Sequence, residues 1–268
     1  MRHGGAIARG VWLAGTLAVL AYALRVALFV VPADAAQGDL SRIFYYHFPA
    51  WIGTSVFFAL NLLGSLAYLF WRRSNTALAL KVDSLAVASA EMGVVFCTVG
   101  LVTGSLWGRA AWGIWWTWDA RLTSTLVLWL IYVAYLLLRS FTESSATETK
   151  RTLAAAMAVF GYLDVPLVYM STRWWNTQHP GPVFAGGVGT GMDASMMPAI
   201  WWNLAAWLLW GFFVASLRYR SVLRAQVAQV AEEVRLLELP LEMPLELPLE
   251  MPLERVAGKS GLAAGDRA

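Results

Sequence analysis

Apolar positions gather in six long blocks, at roughly 8–31, 50–71, 84–106, 122–140, 153–170 and 199–217, separated by short polar or aromatic connections. A helix needs about 20 such residues to cross a hydrocarbon core of ~30 Å, so each block predicts a membrane span. The fold expected is an all-α integral membrane protein with six transmembrane helices and a tryptophan-rich segment on one side. The first block carries Arg25, which must snorkel to the nearer surface, and runs into "VPADAAQ", an Ala-x-Ala-like stretch. Its apolar run outlasts the ~7–15 residues of a signal-peptide core, so it is read as a retained span.

The pattern changes after the last block. "AQVAQVAEEVRLLE" (225–238) predicts a short amphipathic helix on the cytoplasmic face, and "LELPLEMPLELPLEMPLER" (237–255) places proline at every fourth residue. Such spacing forbids a continuous helix and predicts an extended, polyproline-like tail. A docking strip for a cytoplasmic partner and a dispensable low-complexity extension both fit it, and the second is preferred. The last residues, "VAGKSGLAAGDRA", have the composition of disorder. The organisation expected is a six-span domain over 1–220 and a cytoplasmic tail over 221–268.

Composition agrees with a membrane protein: 59% of residues are apolar and 14% charged, with a mean hydropathy of +0.56. Lys and Arg sort by side. Arg2, Arg9, Arg72, Arg73, Lys81, Arg139, Lys150 and Arg151 lie at the N-terminus and the even-numbered connections, and Arg218, Arg220 and Arg224 follow the last span. The odd-numbered connections hold Arg42, Arg109, Arg121 and Arg173. This bias predicts cytoplasmic termini. It also accounts for the net charge of +3 through anionic lipid, so the charge is no argument for nucleic acid. One cysteine, Cys97, supports neither a disulfide framework nor a Cys-x-x-Cys motif.

The odd-numbered connections, 32–49, 107–121 and 171–198, fall on one non-cytoplasmic side and hold two of the three histidines. His47 stands in "RIFYYHFPAW" and His179 in "RWWNTQHPGP", where Trp174 and Trp175 precede it; His3, at the N-terminus, reads as inert. Structural zinc takes four N or S ligands and catalytic zinc three, and no cysteine or carboxylate cluster completes such a set here. Two neutral imidazoles instead complement an iron already held by four porphyrin nitrogens. "WGRAAWGIWWTWDARLTS" (107–124) adds Trp107, Trp112, Trp115, Trp116 and Trp118. In a helix, Trp112, Trp115, Trp116 and Asp119 would form one stripe at i, i+3, i+4 and i+7, while Gly108 and Gly113 also allow a partly irregular loop. The four outer arginines suit bidentate recognition of carboxylates such as haem propionates. Asp119, two residues before Arg121, is expected to neutralise and orient it.

These segments resemble those of a known family. "WGxxxWGxWWxWDxRLTS", the "RxxYxH" ahead of the second span and the "WWNTxH" after the fifth are similar to the motifs of the CcmC (haem exporter protein C) family, whose tryptophan-rich signature is the WWD domain. The resemblance covers about residues 10–217, with one departure: "GRAA" lacks a proline after the first Trp-Gly pair. It implies a protein that is not an enzyme but binds haem b at the periplasmic face of the bacterial cytoplasmic membrane and delivers it to the haem chaperone CcmE in c-type cytochrome biogenesis. The implied partners are an ABC-type ATPase with a second membrane subunit (CcmA, CcmB) and the small single-span CcmD. The ATPase is a separate chain, since no G-x-x-x-x-G-K-[ST] phosphate loop is present here. By the same resemblance His47 and His179 are the axial ligands. Trp107, Trp112, Trp115, Trp116, Trp118 and Asp119 form the haem-binding segment, with Arg42 and Arg121 toward the propionates.

Two other classes stay open on the sequence. A permease carrying haem through the bilayer needs a polar route, and the intramembrane carboxylates are Glu91 and Asp164, the latter near Pro166; pairing or protonation is the expectation for both. A synthase-type haem-delivery subunit shares the WWD signature but has more spans and more histidines by its family pattern.

Overall fold

Helix ends explain most of this architecture. The computed structural model describes residues 2–140, 147–179 and 193–238, and the Pro-Leu-Glu repeat after Glu238 lies outside them. The described helices are α1 (Arg2–Arg25), continued by a π turn (Val26–Val30), α2 (Phe44–Trp71), α3 (Thr76–Trp112), α4 (Ala120–Ser140), α5 (Thr147–Tyr162), α6 (Asp164–Trp174) and α7 (Met197–Glu238), with 3₁₀ turns at Asp39–Ile43 and Ala194–Met196. Among the described residues, six helical stretches are long and apolar enough to cross a membrane. The protein is an all-α, multi-pass membrane protein. By contact the chain divides into two units, at Ala228 and Gln229.

Three boundaries differ from the hydropathy reading. The third span does not stop at 106: with Arg-Ala-Ala after Gly108 and no proline, α3 runs on to Trp112. Gly113, at φ 80°, ends it there, its N–H returning to the Arg109 carbonyl at 3.1 Å. A helical stripe through Trp112, Trp115, Trp116 and Asp119 therefore does not form; residues 113–119 are irregular. The fifth span is two helices rather than one, broken at Leu163. Pro166 cannot donate to the Tyr162 carbonyl, and it sits in the first turn of α6, where a missing N–H costs little. The sixth block and the expected amphipathic helix form one helix, α7.

The central pair is α2 and α3, which approach closely because glycine faces aromatic rings across the contact. A Cβ on Gly53 would stand 2.4 Å from the Phe96 ring, and one on Gly93 2.3 Å from Phe58. Small residues let helix backbones approach where lipid supplies no hydrophobic drive, and dispersion between the packed surfaces then holds them. Phe58 stacks on Tyr132 of α4, and both rings are fully buried.

Two carboxylates of the bundle, Asp83 and Glu91, are paired with arginines. Asp83 of α3 takes a bidentate pair from Arg139 of α4 at 2.9 and 2.6 Å and an amide hydrogen bond from Gln226 of α7 at 2.6 Å. Gln226 is buried, so the start of the expected surface helix faces the interior. Glu91 pairs with Arg218 through two 2.6 Å hydrogen bonds, as the pairing expectation has it. The buried Oδ2 of Asp164 has no hydrogen-bond partner among the described residues.

Candidate functional site

The odd-numbered connections and the helix ends they join surround a cavity of about 340 Å³, within the range of roughly 300–1,000 Å³ typical of small-molecule sites. Asp34, Gln37 and Ser41 line it from the first connection, His47 and Trp51 from α2, and Gly104, Trp107 and Trp112 from α3. Trp116, Arg121 and His179 are also part of the wall.

Each wall element is anchored by local chemistry. In the first connection the Asp34 carboxylate accepts from the amides of Ala36 and Gln37 at 2.9 and 2.8 Å, and Gly38, at φ 57°, closes the loop. Gln37, fixed in this way, accepts the Trp107 indole N–H at 2.9 Å. Trp107 and Trp112 then meet edge to face, with centroids 4.8 Å apart.

His47, in the first turn of α2, reaches α3. Its Nδ1 is 2.9 Å from Thr103 Oγ1, and that hydroxyl donates to the Val99 carbonyl at 2.6 Å. The hydroxyl proton is thus used, so His47 Nδ1–H is the donor and Nε2 keeps the lone pair, which accepts Trp51 Nε1–H at 2.9 Å. Gly104 makes room for the ring; a Cβ there would lie 3.1 Å from His47 Cε1. His179 and Arg121 are near enough to His47 for their charges to act on it.

Asp119 serves two segments. One carboxylate oxygen caps α4 by accepting from Leu122 N–H at 2.9 Å, and the other accepts from Thr117 Oγ1 and from Gln178 N–H, each at 3.2 Å. It does not orient Arg121 by a salt bridge among the described residues; Arg121 is held by the Val168 carbonyl at 2.8 Å. Trp116 Nε1 is buried and has no hydrogen-bond partner among the described residues.

The cavity gathers His47, His179, Trp107, Trp112, Trp116 and Arg121 from the candidates named on the sequence. Others lie outside its wall. Trp115, Trp118, Trp174 and Trp175 are 58, 77, 60 and 49% exposed. Arg42 closes the end of the first span, donating to Asp39 Oδ1 at 2.7 Å and to the Ala27 and Val31 carbonyls. Arg109 turns back onto the Gly113 carbonyl, and Arg173 lies 5.0 Å from the centre of the Tyr169 ring. Sequence reading overlooked Trp51, Thr103, Gln37 and Asp34. Trp51 carried a signal, since it stands one helical turn beyond His47; the others did not.

The heme exporter protein C family profile matches residues 4–233. The chain belongs to the haem exporter protein C family. Among the relatives, heme exporter protein C of Escherichia coli K12 is 34% identical over 193 residues, covering 72% of this chain and 74% of its own length. Heme exporter protein C of Bradyrhizobium diazoefficiens is 33% identical over 222 residues, or 81 and 80% of the two chains. A putative cytochrome c biosynthesis ccmC-like mitochondrial protein of Arabidopsis thaliana is 33% identical over 232 residues, or 85 and 82%. The match to the haem exporter protein C family takes in every residue that lines the cavity.

The residues present fit a haem by their chemistry. A tryptophan-rich wall suits a flat apolar macrocycle, two imidazoles suit an iron with two axial positions, and the Arg121 guanidinium and the Trp116 N–H, which has no hydrogen-bond partner among the described residues, suit a propionate.

Proposed function

We propose that this protein binds haem in the cavity, with His47 and His179 as axial ligands, and hands it to the chaperone CcmE for c-type cytochrome biogenesis. The observation that carries the reading is the meeting of His47, His179, Arg121 and a Trp116 N–H without a hydrogen-bond partner among the described residues in one tryptophan-walled cavity. Haem b is the cargo; it brings the iron that two imidazoles ligate and the carboxylates that need donors. His47 contributes its Nε2 lone pair while Thr103 holds Nδ1–H, an arrangement typical of metal-ligating histidines. Arg121 and Trp116 give donors for a propionate, and Trp107 and Trp112 give apolar contact at the rim. The positive-inside bias supports cytoplasmic termini and a periplasmic cavity. Family membership supports a non-enzymatic role beside CcmD and the ATP-driven CcmA and CcmB, with energy for release coming from the ATPase chain. The pairing of Asp83 and Glu91 with arginines weighs against a polar route through the bundle, and so against a permease.

Absorption spectra of the purified full-length protein test the reading. His47→Ala and His179→Ala are each expected to weaken a bis-histidine spectrum while the protein stays folded. Unchanged haem content and spectrum in both variants would refute the ligand assignment. Coexpression with CcmE then tests delivery, as haem accumulates on the chaperone only if this chain passes it on.

A further inference from the structure

Both ring nitrogens of His47 are engaged within the protein, and the partner at Nε2 has a consequence for ligation. The Trp51 indole donates to that nitrogen at 2.9 Å, its ring standing edge-on to the imidazole with centroids 5.8 Å apart and planes at 79°. The indole is seated in a notch on α3 left by Gly100, where a Cβ would come within 2.8 Å of it. Thr103, its own proton committed to the Val99 carbonyl, accepts only from Nδ1–H, so the imidazole has one lone pair and no second tautomer through which to offer another. The lone pair that a metal needs is the one Trp51 occupies.

We infer that Trp51 is a positioning residue that competes with iron for His47 Nε2. Ligation has to break the indole hydrogen bond, and its re-formation helps the imidazole leave the metal, so the site holds its cargo less tightly than a bis-histidine pocket otherwise does. This rests on the reading of His47 as an axial ligand. The net worth of one neutral hydrogen bond sets the size of the effect, roughly two- to tenfold in retention.

The test is haem loss from the full-length protein in nanodiscs to excess apomyoglobin, followed at the Soret band. Trp51→Phe removes the donor. Incorporating 3-benzothienylalanine at position 51 removes it while keeping the bicyclic shape, since sulfur replaces N–H. The isostere decides: haem loss slowed roughly two- to tenfold, with the bis-histidine spectrum retained, supports the inference. Loss at or above the wild-type rate overturns it, and the Trp51→Phe rate then reports packing against Gly100 alone. His47→Ala, measured in parallel, separates the two readings. If it keeps the wild-type spectrum, the ligand assignment has failed and the role of Trp51 falls with it. If it changes the spectrum while the isostere releases haem at the wild-type rate, the role of Trp51 alone is rejected.

Discussion

Asp119 and Gln178, 59 positions apart, are joined by a 3.2 Å hydrogen bond from the Gln178 amide to the Asp119 carboxylate. The bond fixes the backbone directly before His179, while the second carboxylate oxygen caps α4 through Leu122. Asp119→Asn separates these tasks, because asparagine caps helices as well as aspartate does but turns an N–H₂ group toward the Gln178 donor. Asp119→Asn is expected to melt near the wild-type temperature and to hold haem several-fold less tightly. Asp119→Ala also loses the cap, at a cost of about 1 kcal/mol. Thermal unfolding and haem titration of the two variants check this; wild-type haem affinity in both would remove the tether from the site.

Arg42 and Arg121 read alike on the sequence and differ in the structure. Arg121 lines the cavity, whereas Arg42 is spent on the Ala27 and Val31 carbonyls and Asp39. Arg121→Gln should lower haem affinity by roughly ten- to a hundredfold, the worth of a charged hydrogen bond of about 1.5–3 kcal/mol. Arg42→Gln should lower the melting temperature instead, by freeing carbonyls in the π turn and just after it, with a smaller change in haem affinity. Melting curves and haem titrations of both variants distinguish the roles. An Arg42→Gln protein that loses haem as Arg121→Gln does, without loss of stability, contradicts the assignment.

What the sequence made legible is what local patterns control. Apolar runs announce spans, and their alternation with the basic residues between them sorts the connections into two sets, so His47, His179 and the tryptophans of the odd-numbered connections are expected on one side from this pattern. Contacts across the bundle lie beyond such patterns. Nothing local distinguishes an arginine that caps a carbonyl from one that faces a cavity, or links Thr103 to a histidine 56 positions earlier. Asp83 was passed over because it sits one residue before the apolar run of the third span, although the structure buries it. Another miss was visible in principle. Pro166 could have broken the fifth span, but hydropathy averaged over a span smooths it out, whereas Gly113 already allowed the irregular segment found over 113–119.

Asp83 and Arg139 give the sharpest stability prediction. Their side chains are 3 and 12% exposed, and the pair is completed by Gln226 and by Arg151 at 3.9 Å. Removing one member leaves a buried charge without its partner, which typically costs about 3–5 kcal/mol. Asp83→Leu and Arg139→Met are therefore each expected to be strongly destabilised. The double variant should recover a large part of the loss, since an apolar pair of similar volume avoids burying either charge. Arg151 sets a limit on that recovery, because it stands near the same carboxylate and keeps its charge in the double variant. Unfolding of the two single variants and the double variant in detergent, analysed as a double-mutant cycle, measures the coupling. Additive losses would mean that the pair is not coupled in the folded protein and that α3 and α4 are held together by packing around Phe58 and Tyr132.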